Sequence, residues 1–120
     1  MTGVRVERAN TIVYCDRWER TVAFYRALLG DVVVYENDWF VELAVGAGSS
    51  LSIADASRAT IASSEGAGIT LSWEVADVVA ERDRLLARGF EVSDVRRRFG
   101  SPVVDLHDPE GHRVELWSRC

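Results

Sequence analysis

Apolar and polar positions along this chain follow one order and then repeat it. Residues 9 to 15 alternate as a strand does, and Trp18, Val22, Tyr25 and Leu29 then recur at spacings of four, three and four, the stripe of an amphipathic helix that Gly30 stops. The β-branched run Val32-Val33-Val34, the stretch Trp39 to Val45 and the stretch Ser50 to Ala54 predict three strands, with turns at Asn37-Asp38 and Gly46-Ala47-Gly48. Ala56 to Gly68, rich in alanine, serine and glycine, reads as a linker with room for one helical turn. Beyond it, Ile69 to Val75 predicts a strand, and Asp77 to Arg88 a helix with Asp77 as N-cap and Gly89 as stop. Phe90 to Val95, Ser101 to His107 and Arg113 to Trp117 predict the last strands. Asp108-Pro109-Glu110-Gly111 forms a tight turn between the final two, where proline presets one backbone angle and glycine accepts a positive one.

The second half thus repeats the first. Thr11-Ile12-Val13-Tyr14 matches Leu71-Ser72-Trp73-Glu74, Phe40-Val41-Glu42-Leu43 matches Val103-Val104-Asp105-Leu106, and Ser50-Leu51-Ser52-Ile53 matches Arg113-Val114-Glu115-Leu116. The predicted fold is α+β: two βαβββ modules related by pseudo-two-fold symmetry, with mostly antiparallel sheets curled around a cleft on the symmetry axis. At 120 residues the chain is one domain by length. Module 1 covers about 8–55, the linker about 56–68 and module 2 about 69–118.

Strand alternation assigns faces. Val41, Leu43, Leu51, Ile53, Val104, Leu106, Val114 and Leu116 belong to the core against the helices. Thr11, Val13 and Cys15 pair with Ile69, Leu71, Trp73 and Val75 as helix-facing. The concave face then receives Asn10, Ile12, Tyr14, Glu42, Ser52, Thr70, Ser72, Glu74, Asp105, Arg113, Glu115 and Trp117. Carboxylates mixed with aromatic and small polar groups suit a binding cleft, although a half-polar face is also what a solvated sheet presents.

A hydrophobic share of 48% and a charged share of 28% are those of an ordinary globular protein. The net charge of −5 argues against a sequence-independent nucleic-acid binder and is compatible with a cationic small ligand. No apolar run approaches membrane-spanning length, and Met1 to Glu7 lacks the apolar core of a secretory signal, so a cytoplasmic location is the expectation. Cys15, within a strand, reads as a small core hydrophobe; with Cys120 it fits a reducing compartment better than a disulfide framework.

Phe24-Tyr25-Arg26-Ala27-Leu28-Leu29-Gly30 after an opening strand, with the closing Asp108-Pro109-Glu110-Gly111-His112-Arg113-Val114-Glu115-Leu116-Trp117, resembles the glyoxalase, bleomycin-resistance and extradiol-dioxygenase (vicinal oxygen chelate) superfamily. The resemblance covers nearly the whole chain and implies paired βαβββ modules, often as a homodimer. In its catalytic members one residue from each of four strands holds a divalent metal. Carried over, those positions are Asn10, Ser52, Thr70 and Glu115, and only Glu115 offers a good ligand for such an ion. The expectation is therefore no metal and no cofactor. A carboxylate set of Glu42, Asp105 and Glu115 for a hard ion has no support in the family pattern. His107 and His112 read as surface or turn residues.

Without a metal the resemblance points to the antibiotic-sequestering branch, so the leading expectation is a protein that binds a cationic or aromatic small molecule and performs no reaction. Trp39, Phe40, Phe99 and Trp117 would stack on it while Glu42, Asp105 and Glu115 meet its positive charge. Trp18 and Trp73 read as core. One alternative is a metal-independent lyase or isomerase with Glu115 as general acid/base; a second is a metal-dependent glyoxalase- or dioxygenase-like enzyme. Nucleophilic catalysis by Ser52 or Cys15 lacks a neighbouring histidine. Arg96-Arg97-Arg98 reads as a solvated hairpin tip, or else as a lid that clamps an anionic group.

Overall fold

A computed structural model describes residues 2–119, which leaves Cys120 outside the described residues. The elements run β1 (Ala9–Cys15), α1 (Trp18–Leu29), β2 (Val33–Glu36), β3 (Phe40–Ala44), β4 (Ser49–Asp55), a short 3-10 turn (Ala56–Arg58), β5 (Thr70–Glu74), α2 (Val78–Ala87), β6 (Arg96–Arg98), β7 (Ser101–His107) and β8 (Arg113–Trp117). They build two four-stranded sheets of identical topology, β1-β4-β3-β2 and β5-β8-β7-β6. In each, the opening strand lies parallel to the last strand of its module and the other pairings are antiparallel. A parallel pair needs a crossover, and α1 or α2 supplies it. The α+β fold of two βαβββ modules is thus observed, and the chain divides into two compact units, up to Glu65 and from Gly66 onward.

Each unit sets an apolar sheet face against its helix, and β4 and β7 are buried on both faces. In the first, Val13, Cys15, Val41, Leu43, Leu51 and Ile53 pack as the alternation predicts; in the second, Leu71, Val104, Leu106, Val114 and Leu116 do the same. Each such side chain contributes roughly 1.5–3 kcal/mol by leaving water. On α1 the fully buried positions are Thr21 and Tyr25, four residues apart, whereas Val22 of the predicted stripe is only half-buried. Thr21 tolerates burial because its hydroxyl donates to the Arg17 carbonyl at 2.8 Å. Trp18, expected in the core, is half-buried and donates from Nε1 to the Ile53 carbonyl at 2.9 Å.

The helix punctuation is as expected. Gly30 at φ 85° and Gly89 at φ 87° stop the two helices, and the Asp77 carboxylate accepts from the Ala80 amide at 3.1 Å.

One strand lies elsewhere than predicted. Residues 90–95 form no ladder; Ser93 reaches β7, donating its N–H to the Asp105 carbonyl at 3.0 Å and accepting the Asp105 N–H at its hydroxyl at 2.9 Å. The strand is instead the arginine run, β6. Its position follows from the turn: Phe99 and Gly100, at φ 52° and 81°, form a two-residue loop with both angles positive, which pairs Arg98 with Ser101 and Arg96 with Val103.

The turn before β8 is a buried hydrogen-bonded unit. Asp108 Oδ1 accepts the N–H groups of Glu110 and His112, both at 2.9 Å, and Oδ2 lies 2.8 Å from His112 Nδ1. His112 is thus a turn residue, as expected, but a buried one rather than a surface one; His107 is exposed. Gly66 packs against this turn so closely that a Cβ there would stand 2.2 Å from the Gly111 carbonyl carbon and oxygen.

Candidate functional site

The polar faces of the two sheets are assembled by register. In the second unit, Ser72 sits beside Glu115 across β5 and β8, and Glu115 beside Asp105 across β8 and β7. Because β6 pairs Arg98 with Ser101 and Arg96 with Val103, both arginines share the face of Asp105. The Arg98 guanidinium lies between the two acids. Its Nη1 donates to Asp105 Oδ1 at 3.3 Å and to Glu115 Oε2 at 3.1 Å, and its Nη2 to Asp105 Oδ2 at 2.9 Å. Ser72 donates to the other Glu115 oxygen at 2.7 Å, and Arg96 stands 3.8 Å from Asp105.

The hydrogen bonds and charge of Asp105, followed by those of Glu115, hold Arg98 more firmly protonated than an ordinary arginine. Arg96 and Arg97 are exposed, as a solvated tip would be, whereas Arg98 is engaged within the protein. The acids it clamps belong to the protein.

Beside this cluster opens a recess of about 460 Å³. Its lining combines the polar side chains of Ser72, Arg98, Ser101 and Glu115 with the apolar ones of Phe99, Val103 and Trp117. Phe99 is fully exposed at the hairpin tip although its φ of 52° is one that bulky residues rarely adopt. Asparagine is the favoured residue for such a position, so phenylalanine there gives up stability, a pattern that concentrates at functional sites.

The first unit carries the corresponding row of Ile12, Ser52 and Glu42. Glu42 is buried against Arg8, whose Nη1 also reaches the Ser50 hydroxyl at 2.9 Å. A hydrogen bond from Ser50, together with Arg8, holds the Glu42 carboxyl below its ordinary value despite the desolvation that pushes it up. Phe40 shares the Glu42 face and meets Trp39 edge-on at 5.5 Å, with Tyr35 tilted against it at 6.2 Å. Asn10 is exposed, Tyr14 half-buried, and Ser52 fully buried.

Of the residues expected at the site, Ser72, Phe99, Glu115 and Trp117 thus meet at the recess, with Asp105 behind Arg98. Asn10, Ile12, Tyr14, Trp39, Phe40, Glu42 and Ser52 belong to the first unit. Thr70 accepts from Arg113 Nε at 3.1 Å. Sequence reasoning missed Arg8 and the pairing of Arg98 with Asp105 and Glu115. Arg98 was within reach: Phe99-Gly100 read as a two-residue hairpin turn places it on the Asp105 face.

The four positions that the resemblance assigns to a divalent metal are engaged otherwise here. Ser52 donates to the Asn10 side-chain oxygen at 2.8 Å, Thr70 is engaged by Arg113, and Glu115 accepts from Ser72 and Arg98. Three of the four residue types lack imidazole and carboxylate, the groups these ions take. Among the described residues no group of three or more His, Cys, Asp or Glu side chains is placed to hold a metal ion. No helix among them is long and apolar enough to cross a membrane.

Comparison with known proteins bears on the family and the fold. The family model described as a glyoxalase-like domain matches residues 10–117. Among solved structures, a lactoylglutathione lyase from Agrobacterium tumefaciens superposes with a TM-score of 0.75 at 21% identity, over 98% of this chain and 94% of that one. TnmS3, an antibiotic binding protein from Streptomyces sp. CB03234, gives 0.76 at 22% identity over 98% of both chains. A glyoxalase/bleomycin resistance protein from Catenulispora acidiphila DSM 44928 gives 0.73 at 22% identity, over 92% of this chain and 96% of that one. No curated protein sequence matches the chain.

Proposed function

Because the chain belongs to the glyoxalase-like domain family, in the superfamily of glyoxalases, bleomycin-resistance proteins and dioxygenases, we propose that it binds a small organic molecule and sequesters it without a divalent metal. The observation that carries this reading is the engagement of Glu115. It alone of the four equivalent positions has metal-ligand chemistry, yet both of its oxygens accept hydrogen bonds from neighbouring side chains. The recess beside it has the aromatic wall and few polar groups of a ligand site. The strained, exposed Phe99 at its rim adds support, since a solvated hairpin has no use for that residue there. TnmS3 shows that the fold serves antibiotic binding in another protein.

A thermal-shift screen of an antibiotic and natural-product library, with and without zinc, nickel or manganese, tests this. A ligand at 100 times its Kd stabilises by about 2.7 kcal/mol, a shift of several degrees for a domain of this size. Stabilisation by organic compounds that is indifferent to metal is the expected result. A shift that requires metal, or one equivalent of metal bound through Glu115, overturns the reading.

A further inference from the structure

We infer that the recess of the second unit takes a flat, uncharged aromatic compound bearing a carbonyl oxygen, and not a cation. This deepens the sequestration reading and rests on it. The inference begins with charge. The acids that would attract a cationic guest already have one: Arg98 bridges Asp105 and Glu115, and Arg96 stands 3.8 Å from Asp105. Glu115 and Arg98 in the lining, with Asp105 and Arg96 behind them, balance in charge and leave no net charge to draw an ion of either sign. The first unit repeats the device from a different sequence position, with Arg8 on Glu42. Each unit thus supplies its own cation to the acid on its third strand.

The remaining valences of the recess are donors. A guanidinium has five N–H groups, and the three bonds to Asp105 and Glu115 use three of them, which leaves Nε–H and one N–H on Nη2 among the described residues. The Arg98 side chain is 29% exposed, so these groups can be reached. Ser101, also in the lining, adds a hydroxyl. The rings of Trp117 and Phe99 also line the recess, surfaces on which a flat molecule stacks. Donors and rings in one lining are met by an aromatic carbonyl. A cation approaching Glu115 would meet the like charge of Arg98, which already faces that carboxylate at 3.1 Å.

Three tricyclic probes of one size and different charge test the inference: acridone (neutral carbonyl), 10-methylacridinium (cation) and acridine-9-carboxylate (anion). Their affinities are measured by isothermal calorimetry on the full chain and on Arg98→Gln. The expected order for the native chain is acridone at least 10-fold tighter than either ion, with acridone binding lost in Trp117→Ala. In Arg98→Gln the acids are uncovered and 10-methylacridinium becomes the tightest. A native chain that prefers 10-methylacridinium, or acridine-9-carboxylate, overturns the inference and leaves the sequestration reading standing. Failure of all three probes also overturns it, and the library screen then decides the broader reading separately, since a metal-indifferent hit of other chemistry preserves it. The rank order in the native chain is decisive by itself if Arg98→Gln does not fold.

Discussion

Replacing Asp108 by alanine removes the acceptor around which the turn before β8 is built. Oδ1 takes two backbone N–H groups at 2.9 Å and Oδ2 takes His112 Nδ1 at 2.8 Å, with both side chains at most 1% exposed. An ionised carboxylate only accepts, so the imidazole is the donor of that third bond. The variant therefore orphans three buried donors at once. Each costs roughly 1–3 kcal/mol when unsatisfied. Partial relaxation and entry of water bring the sum to about 3–5 kcal/mol, a large share of the 5–15 kcal/mol that holds a typical domain together. Asp108→Asn keeps one acceptor oxygen for the backbone amides and disturbs mainly the His112 contact, so its loss is smaller, about 1–2 kcal/mol. Urea unfolding followed by circular dichroism, analysed with a common slope, measures both. If Asp108→Ala falls within about 1 kcal/mol of the native protein, or matches Asp108→Asn, the account of this turn is refuted.

Gly66→Ala sets a Cβ 2.2 Å from the Gly111 carbonyl at a φ of 83°, where backbone must move; a loss of more than about 2 kcal/mol in the same assay is expected, and a neutral result would show that the linker does not pack on the turn. Phe99→Asn creates the Asn-Gly pair favoured by a turn with two positive φ angles, so it raises stability by about 0.5–1 kcal/mol while weakening any ligand of the recess; unchanged affinity would remove Phe99 from the site. Glu42 has a folded pKa below the ordinary glutamate value of 4.5, so its contribution is present above that value and fades as pH falls below it. Stability measured from pH 6 down to pH 3 should therefore decline less steeply in Glu42→Gln than in the native protein, and parallel acid limbs would contradict the assigned pairing with Ser50 and Arg8.

Much of this was legible from residues alone. Alternation of Val41, Leu43, Val104 and Leu106 with Glu42 and Asp105 assigned the buried faces, because side chains on a strand point alternately to its two sides. Asp77, Gly30 and Gly89 marked helix limits through local hydrogen bonding and backbone angle. The run at 90–95 misled because β-branched and aromatic content is shared by strands and by half-buried irregular segments, and because a ladder depends on the partner's register.

The sequence by itself determined the duplicated βαβββ order, the core, and the lack of metal-ligand chemistry at Asn10, Ser52 and Thr70, since these follow from periodicity and residue type. Only the tertiary structure decided what the acids face. Composition counts Glu42, Asp105 and Glu115 as negative charge awaiting a guest, whereas the register set by a two-residue turn brings Arg98 between two of them, and the chain entering β1 brings Arg8 to the third. Charge is a property of residues, but its neutralisation depends on distance, and the partners lie 34 residues apart for Arg8 and Glu42 and 17 for Arg98 and Glu115.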